Sequence, residues 1–320
     1  MQALICSKYG PASEMELMQV NRPEPADNEV LIKIHATSVN RTDCAYIAGR
    51  PFIVRFITGL FRPRKKIPGT EFAGEIVETG KNVTAFKIGQ RVFGLYDPVA
   101  GSHVQYMTIP EDMALTTIPD KISYKEAAVS TEGVHYAINL INKVNLKKEH
   151  SVLINGASGG IGSAALQLVK YYGAHVTAVC DTKNVQLIKS LGADKVIDYL
   201  KEDFTGDDQK YHFVFDAVGK STFGKCKPLL HPGGVYMSSE LGPGAQNIFL
   251  PLLTALFGKK KVIFPIPLNR NGSVFFIKEL LEQGKYKPVI DREYPFDQII
   301  DAYKYVDQGL KTGNVVINIV

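Results

Sequence analysis

A short apolar run, SVLI at Ser151–Ile154, leads into NGASGGIG at Asn155–Gly162 and then into SAALQLVKYY. The apolar residues Val152–Ile154, without a polar break, suit a strand buried on both faces, and such strands belong to parallel sheets. Ile161, Ala165, Leu168, Val169 and Tyr172 then recur at helical spacing, and Gly173 stops the helix. The glycine-rich segment therefore joins a buried strand to the first turn of a helix. At that place free N–H groups and the helix dipole favour an anion.

The same alternation continues downstream. HVTAVC reads as a strand, NVQLIKSLGA as a helix and KVIDY as a strand, followed by strands at HFVFDAVG, GGVYMSS and KKVIFPI. An α/β class with a doubly wound parallel sheet follows from this order. The first third is different. EVLIKIHATSVN and EFAGEIVETGKNV alternate apolar and polar residues between Gly and Pro punctuation, which predicts a β-rich region. After the parallel region come a helix at SVFFIKELLEQG, a second from about Phe296 to Gln308, and a closing strand NVVINIV. The pattern thus changes from β-rich to alternating strand and helix after about residue 120.

Ala157, Gly159 and Gly162 occupy the three glycine positions of the dinucleotide fingerprint, with Gly160 as an extra. Gly159 would let backbone approach a pyrophosphate, and Gly162 would let helix and strand pack closely. The alternative is a purely structural turn. The strand before, the helix after and an acid, Asp181, ending the second strand favour a dinucleotide site. Asp181 would hold a ribose 2′-hydroxyl, which points to NAD(H). Lys183 would instead grip a 2′-phosphate, or is a solvated loop lysine. The residues leave that choice open.

The remaining numbers exclude more than they assign. With 45% hydrophobic and 22% charged residues, the 320-residue chain is globular in composition, and its net charge of +5 is spread too evenly to point to nucleic acid. Cys6, Cys44, Cys180 and Cys226 share no short spacing, so neither a disulfide framework nor a zinc knuckle is indicated. The start MQALICSKYG lacks signal-peptide features, and IFLPLLTALF is too short to span a bilayer, so a cytoplasmic protein is expected.

Several segments in this order carry a resemblance: ATSVNRTD, RPRKKIPGTEFAGEIVETGKNVTAFKIGQRVFG, LINGASGGIGSAALQLVK, SLGADKVIDYLKEDF, FVFDAVGKSTF and VIDREYPFDQIIDAYKYVDQGLKTGNVVI. Together they resemble the medium-chain dehydrogenase/reductase superfamily. The resemblance is to its zinc-independent quinone oxidoreductase branch, including chloroplast-envelope quinone oxidoreductase-like proteins. It implies a GroES-like catalytic domain over 1–120, to which 266–320 return, a Rossmann domain over 121–265, and an active site in the cleft where they meet. Ser158, Gly159, Gly160 and Ile161 fall where the family cradles pyrophosphate. Lys183 and Tyr199 fall where NADPH-using relatives meet the 2′-phosphate, and Val218 and Ser239 near the nicotinamide half. Many relatives have a small uncharged residue in place of Asp181. The resemblance thus favours NADPH, whereas a deciding Asp181 would favour NADH. His135, in STEGVHYA, stands where a threonine is common; it either borders the nicotinamide or is a packed core residue.

Zinc-dependent members use Cys, His and a further Cys or Asp. Here Asn40 holds the first position and Thr70 the histidine position, and no cysteine stands between Cys44 and Cys180. Asn and Thr are poor zinc ligands, so no metal is expected. Without a Lewis acid, reduction of an isolated ketone is disfavoured, whereas conjugate addition to an enal, enone or quinone spreads charge over an enolate. The candidate oxyanion donors are Asn40, Thr42 and Tyr46. Asn40 and Thr42 have capping of the next turn as the plainer alternative, and Tyr46 has packing. The expected function is NAD(P)H-dependent reduction of a small-molecule electrophile. The alternatives are an alcohol dehydrogenase, or a non-catalytic cofactor-binding regulator or scaffold.

GRPFIVRFITGLFRPRKK at Gly49–Lys66 has six basic residues, no acid and interleaved Phe, Ile, Val and Leu. It would serve as a lid, a membrane-surface contact, or a loop covered by its own protein or a dimer partner. LFGKKKVIF has a similar mix. In relatives the last Rossmann strand pairs across a homodimer, and KKVIF is the corresponding strand here.

Overall fold

The computed structural model describes residues 1–96 and 101–320. They form two compact units: one comprises Met1–Glu132 with Asn269–Val320, the other Gly133–Leu268. The first unit thus runs past the expected 120 boundary. The short helix Tyr124–Ala128 packs on the strands Glu29–Val39 and Glu71–Thr79, and buried Glu71 holds the following Thr131 and Glu132.

The Gly133–Leu268 unit contains six parallel strands. They are β1 (Ser151–Asn155), β2 (His175–Cys180), β3 (Lys195–Asp198), β4 (Tyr211–Asp216), β5 (Leu230–Ser238) and β6 (Lys261–Ile263). Their order across the sheet is β3-β2-β1-β4-β5-β6, so the chain winds outward in both directions from β1, as the alternation predicts. In β1 the central residues Val152–Ile154 are fully buried. Helix α1 (Gly160–Tyr171) follows β1 and buries Ala165, Leu168 and Val169 as expected. Tyr172, expected on the same face, caps the helix and is 40% exposed. The apolar run IFLPLLTALF lies within a further helix, α2 (Gln246–Phe257), despite the internal Pro251.

The other unit is built on a seven-stranded sheet. Its centre is the long strand Glu29–Val39, paired antiparallel with Glu71–Thr79, with Tyr106–Pro110 and with Asn314–Asn318. Arg91–Leu95 and Leu115–Thr117 extend the sheet on one side, and Ile290–Pro295 on the other. The core beneath includes Val30, Ile32, Ile34, Phe72, Ile76, Ile299, Tyr303 and Ile317. A separate pair, Gln2–Ile5 with Glu16–Gln19, packs residues into the same core.

Candidate functional site

In the parallel-sheet unit the glycine-rich segment turns sharply after β1. Gly156 has φ +78°, and a Cβ there would sit 2.7 Å from Val218 Cβ. Gly156, one residue before the expected position, therefore makes the tight turn. Ala157 is buried, with its N–H donated to the Val179 carbonyl at 3.0 Å. At Gly162 a Cβ would stand 2.1 Å from the Gly156 carbonyl oxygen, which is the close helix–strand approach expected of it. Gly133 was not singled out by sequence, yet a Cβ there would lie 2.9 Å from the Gly160 carbonyl carbon. It brings the helix Glu132–Ile141 against the start of α1.

Gly159 differs from these. It is the N-cap of α1 in extended backbone (φ −79°, ψ 175°), and the nearest atom to a Cβ there is the Gly156 oxygen at 3.6 Å. The space ahead of the helix is therefore open, and a side chain would fill it. First-turn N–H groups such as those of Gly160 and Ile161 have no intrahelical acceptor. This cradle fits a pyrophosphate.

Asp216, at the end of β4, was also missed. It is fully buried; Oδ1 accepts from Asn155 Nδ2 at 2.9 Å, and Oδ2 accepts from the Ser221 N–H and the Tyr236 hydroxyl, both at 3.0 Å. One carboxylate thus fixes the ends of β1, β4 and β5. Ser239 N–H donates to the Asp216 carbonyl at 3.1 Å, which ties the end of β5 to the end of β4. The signal was an acid closing the apolar strand in FVFDAVG.

Asp181 follows β2 and caps a short turn over Thr182–Asn184. Its carboxylate accepts from Asn184 Nδ2 and pairs with Lys183 Nζ at 3.9 Å. Tyr199, half exposed after β3, is tied by its N–H to the Cys180 carbonyl at 3.0 Å, and burial followed by Asp181 pushes its phenol pKa up. Ser158, Gly159, Gly160, Ile161, Asp181, Lys183, Tyr199, Val218 and Ser239 therefore all follow the carboxyl ends of β1–β5, where doubly wound sheets bind ligands. His135 is buried on the helix Glu132–Ile141, with Nδ1 3.3 Å from Asn139 Nδ2, whose amide also donates to the His135 carbonyl at 2.8 Å.

In the other unit the helix Arg41–Ala48 begins at Asn40 with a reciprocal cap. Asn40 Oδ1 accepts from the Asp43 N–H at 2.9 Å, and Asp43 Oδ2 accepts from the Asn40 N–H at 3.1 Å. Asn40 Nδ2 donates to Thr70 Oγ1 at 2.7 Å. Asn40 thus does cap the turn, but an amide carries a second N–H. Thr42 is not a cap: its hydroxyl donates to Glu132 Oε1 at 2.6 Å, so its one proton is committed. Tyr46 is half-buried one turn further on.

Beneath them lies a buried polar layer that the sequence did not show. Glu71 accepts from Ser38 Oγ, from Thr131 Oγ1 at 2.7 Å and from the Glu132 N–H at 2.7 Å. Burial raises its carboxyl pKa while these three donors oppose the shift. Burial also holds Asp43 well above the usual carboxylate range, with the Asn40 N–H opposing it and the Glu71 and Glu132 charges adding to it. His103 donates from Nε2 to the Ser38 carbonyl at 2.8 Å and faces the Tyr303 hydroxyl with Nδ1 at 3.1 Å; burial lowers its pKa to about 4. It is a neutral, structural histidine.

Two domain families match the chain: "Alcohol dehydrogenase GroES-like domain" over residues 26–120, and "Zinc-binding dehydrogenase" over residues 191–317. The chloroplast envelope quinone oxidoreductase homolog of Arabidopsis thaliana is 31% identical, over 99% of this chain and 98% of that protein. The chloroplastic NADPH-dependent alkenal/one oxidoreductase of the same organism is 29% identical over 99% of this chain and 79% of its own length. The solved quinone oxidoreductase of Coxiella burnetii shares the fold, with TM-score 0.89 and 24% identity over 100% of this chain and 99% of that one.

The second domain description names a metal, and the residues here do not fit one. Asn40 and Thr70 offer an amide and a hydroxyl, and they are bonded to each other. Among the described residues no group of three or more His, Cys, Asp or Glu is placed to hold a metal ion.

Proposed function

Because the chain belongs to the medium-chain dehydrogenase/reductase superfamily of oxidoreductases, with quinone oxidoreductase-like relatives along its whole length, we propose that it is a zinc-independent reductase of quinones and α,β-unsaturated carbonyl compounds, with NADPH as the preferred cofactor. The observation that carries this is the Asn40–Thr70 hydrogen bond. It ties together an amide and a hydroxyl, both poor metal donors, at the two positions where the resemblance puts the ligands of zinc-dependent relatives.

A bound nicotinamide would supply hydride. The chain's own residues would do the rest. N–H groups of Gly160 and Ile161 would hold the pyrophosphate at the start of α1, and Val218 and Ser239 would border the nicotinamide half. The second N–H of Asn40 would donate to the oxygen on which negative charge develops, fixed in direction because the amide oxygen is held by Asp43. Tyr46 is a further candidate donor, and Thr42 would act by holding Glu132. A conjugated acceptor suits this equipment, since its enolate needs less stabilisation than a localised alkoxide.

The NADPH preference rests on the surroundings of Asp181. Its charge is partly offset by Lys183 and Asn184, with Tyr199 alongside. Asp181→Ser is expected to raise the NADPH/NADH ratio of kcat/KM roughly tenfold, about 1.4 kcal/mol, by removing repulsion of a 2′-phosphate. An unchanged ratio would show that the charge at this position does not select the cofactor.

The direct test follows oxidation of NADPH and NADH by chelator-treated protein with a quinone and with a 2-alkenal. Turnover is expected on both acceptors, faster with NADPH. Recovery only on adding zinc would defeat the metal-free reading. Cofactor binding without turnover would move the protein to a regulator or scaffold.

A homodimer completes the proposal. Among the described residues β6 pairs only with β5, and against it lies an apolar groove of about 470 Å³ lined by Ile248, Pro251, Val262, Phe264 and Ile266. The neighbouring helix α2 exposes Phe249, Leu252, Leu256 and Phe257. A second copy would cover both edge and groove. A monomer in sedimentation velocity at micromolar concentration would remove this part.

A further inference from the structure

We propose that the segment Gly49–Lys66 docks on an anionic lipid bilayer. The segment is a short helix, Val54–Thr58, with its flanks, and it presents Phe52 (60% exposed), Ile53, Phe56, Ile57, Leu60 and Phe61 (88% exposed) to solvent. Phe56 and Ile57 lie on the helix itself, and Phe52, Ile53, Leu60 and Phe61 flank it at either end. An apolar patch of this kind on a soluble chain marks an interaction site.

The segment is held from below. Tyr9 hydroxyl bonds to Thr58 Oγ1 at 2.6 Å and to the Gly59 carbonyl at 2.5 Å. Arg55 donates from Nε to the Gly49 carbonyl at 3.1 Å and stacks on the Tyr9 ring at 4.7 Å. Phe52 and Phe56 meet edge to face at 5.8 Å on the outer side. The aromatic pair is therefore ordered in advance, and little conformational freedom would be lost on insertion.

Charge selects the occupant. Arg50, Arg62, Arg64, Lys65 and Lys66 are exposed around the apolar residues, and no acid occurs between Asp43 and Glu71. A second copy using the same face would set cations against cations. A lid over a neutral electrophile would gain nothing from five surface cations. An anionic bilayer matches both features: apolar side chains enter the acyl boundary while Arg and Lys stems reach lipid phosphates. It is also a medium in which apolar electrophiles collect.

The test is cosedimentation of the full chain with vesicles of phosphatidylcholine alone, or with about 30% phosphatidylglycerol added. Binding is expected only to the anionic vesicles, and about 0.5 M NaCl should reduce it at least roughly tenfold. Phe56→Ser/Phe61→Ser and Arg62→Glu/Lys65→Glu should each lower the bound fraction by about tenfold, with melting temperature unchanged. Three results overturn the proposal. One is no binding to anionic vesicles at low salt, or binding retained in both double variants. Another is that the variants split an oligomer, which makes the face a contact between copies. The third is a change in KM for the electrophile with vesicle binding intact, which makes it a lid. The vesicle-binding and oligomer readouts stand without the reductase assignment; only the KM readout rests on it.

Discussion

Gly159→Val is expected to abolish cofactor binding while the protein stays folded. The reason is the contrast among the glycines of one turn. At Gly156 the backbone is left-handed, and at Gly162 a Cβ would sit 2.1 Å from a carbonyl oxygen, so side chains there would damage the fold itself. At Gly159 the backbone is extended, which a β-branched residue accepts, and a Cβ has 3.6 Å of clearance. Valine would therefore occupy only the space in front of the helix. Affinity for NADPH should fall at least about a hundredfold, on the order of 3 kcal/mol. Stability should move by less than about 1 kcal/mol. Calorimetric titration and thermal melting together decide it. Wild-type affinity in the folded variant would place the pyrophosphate elsewhere. Gly162→Ala serves as the opposite control, since it should destabilise before it discriminates.

Glu71→Ala should have the largest effect on stability. Removing the buried carboxylate leaves Ser38 Oγ, Thr131 Oγ1 and the Glu132 N–H without their acceptor, and opens a void beneath the strand Glu71–Thr79. The expected loss is roughly 3–5 kcal/mol, seen as a lower midpoint in denaturant with little change in slope. Glu71→Gln keeps the shape and one acceptor oxygen, so it should recover about half of that loss. A deficit under about 1 kcal/mol in the alanine variant would mean that water replaces the carboxylate, and that the bonds to Thr131 and Glu132 contribute little.

What the sequence revealed divides along a physical line. Order and type of element in the Gly133–Leu268 unit were legible because apolar runs of strand length alternate with segments of helical period. The carboxyl edge of that sheet was legible only in part: Asp181 closes a recognisable strand, whereas Tyr199, Val218 and Ser239 came from the resemblance, and each of them follows a strand in the structure. Contacts between residues far apart in the chain were not. Asp216 bonds Asn155 across 61 residues, and Glu71 bonds Thr131 across 60. No local pattern announces such a pairing. Conformation was equally hidden, since the positive φ of Gly156 cannot be seen in NGASGGIG, where Ala157 matched the motif's first position. Thr42 shows a third limit: a hydroxyl reads as a donor in sequence, but only the structure shows that Glu132 already takes its proton.

The return of Asn314–Asn318 to the side of Glu29–Val39 has a consequence for synthesis. The six parallel strands lie between Ser151 and Ile263, so that sheet can close while the chain is still growing. The sheet begun at Glu29 cannot close until residue 318 has left the ribosome. Until then residues 36–39 of its central strand have an unpaired edge, open to any passing strand. The region made first is thus finished last. Conditions that slow the final fifty or so residues should cost yield through aggregation of a chain whose later-made half is already folded.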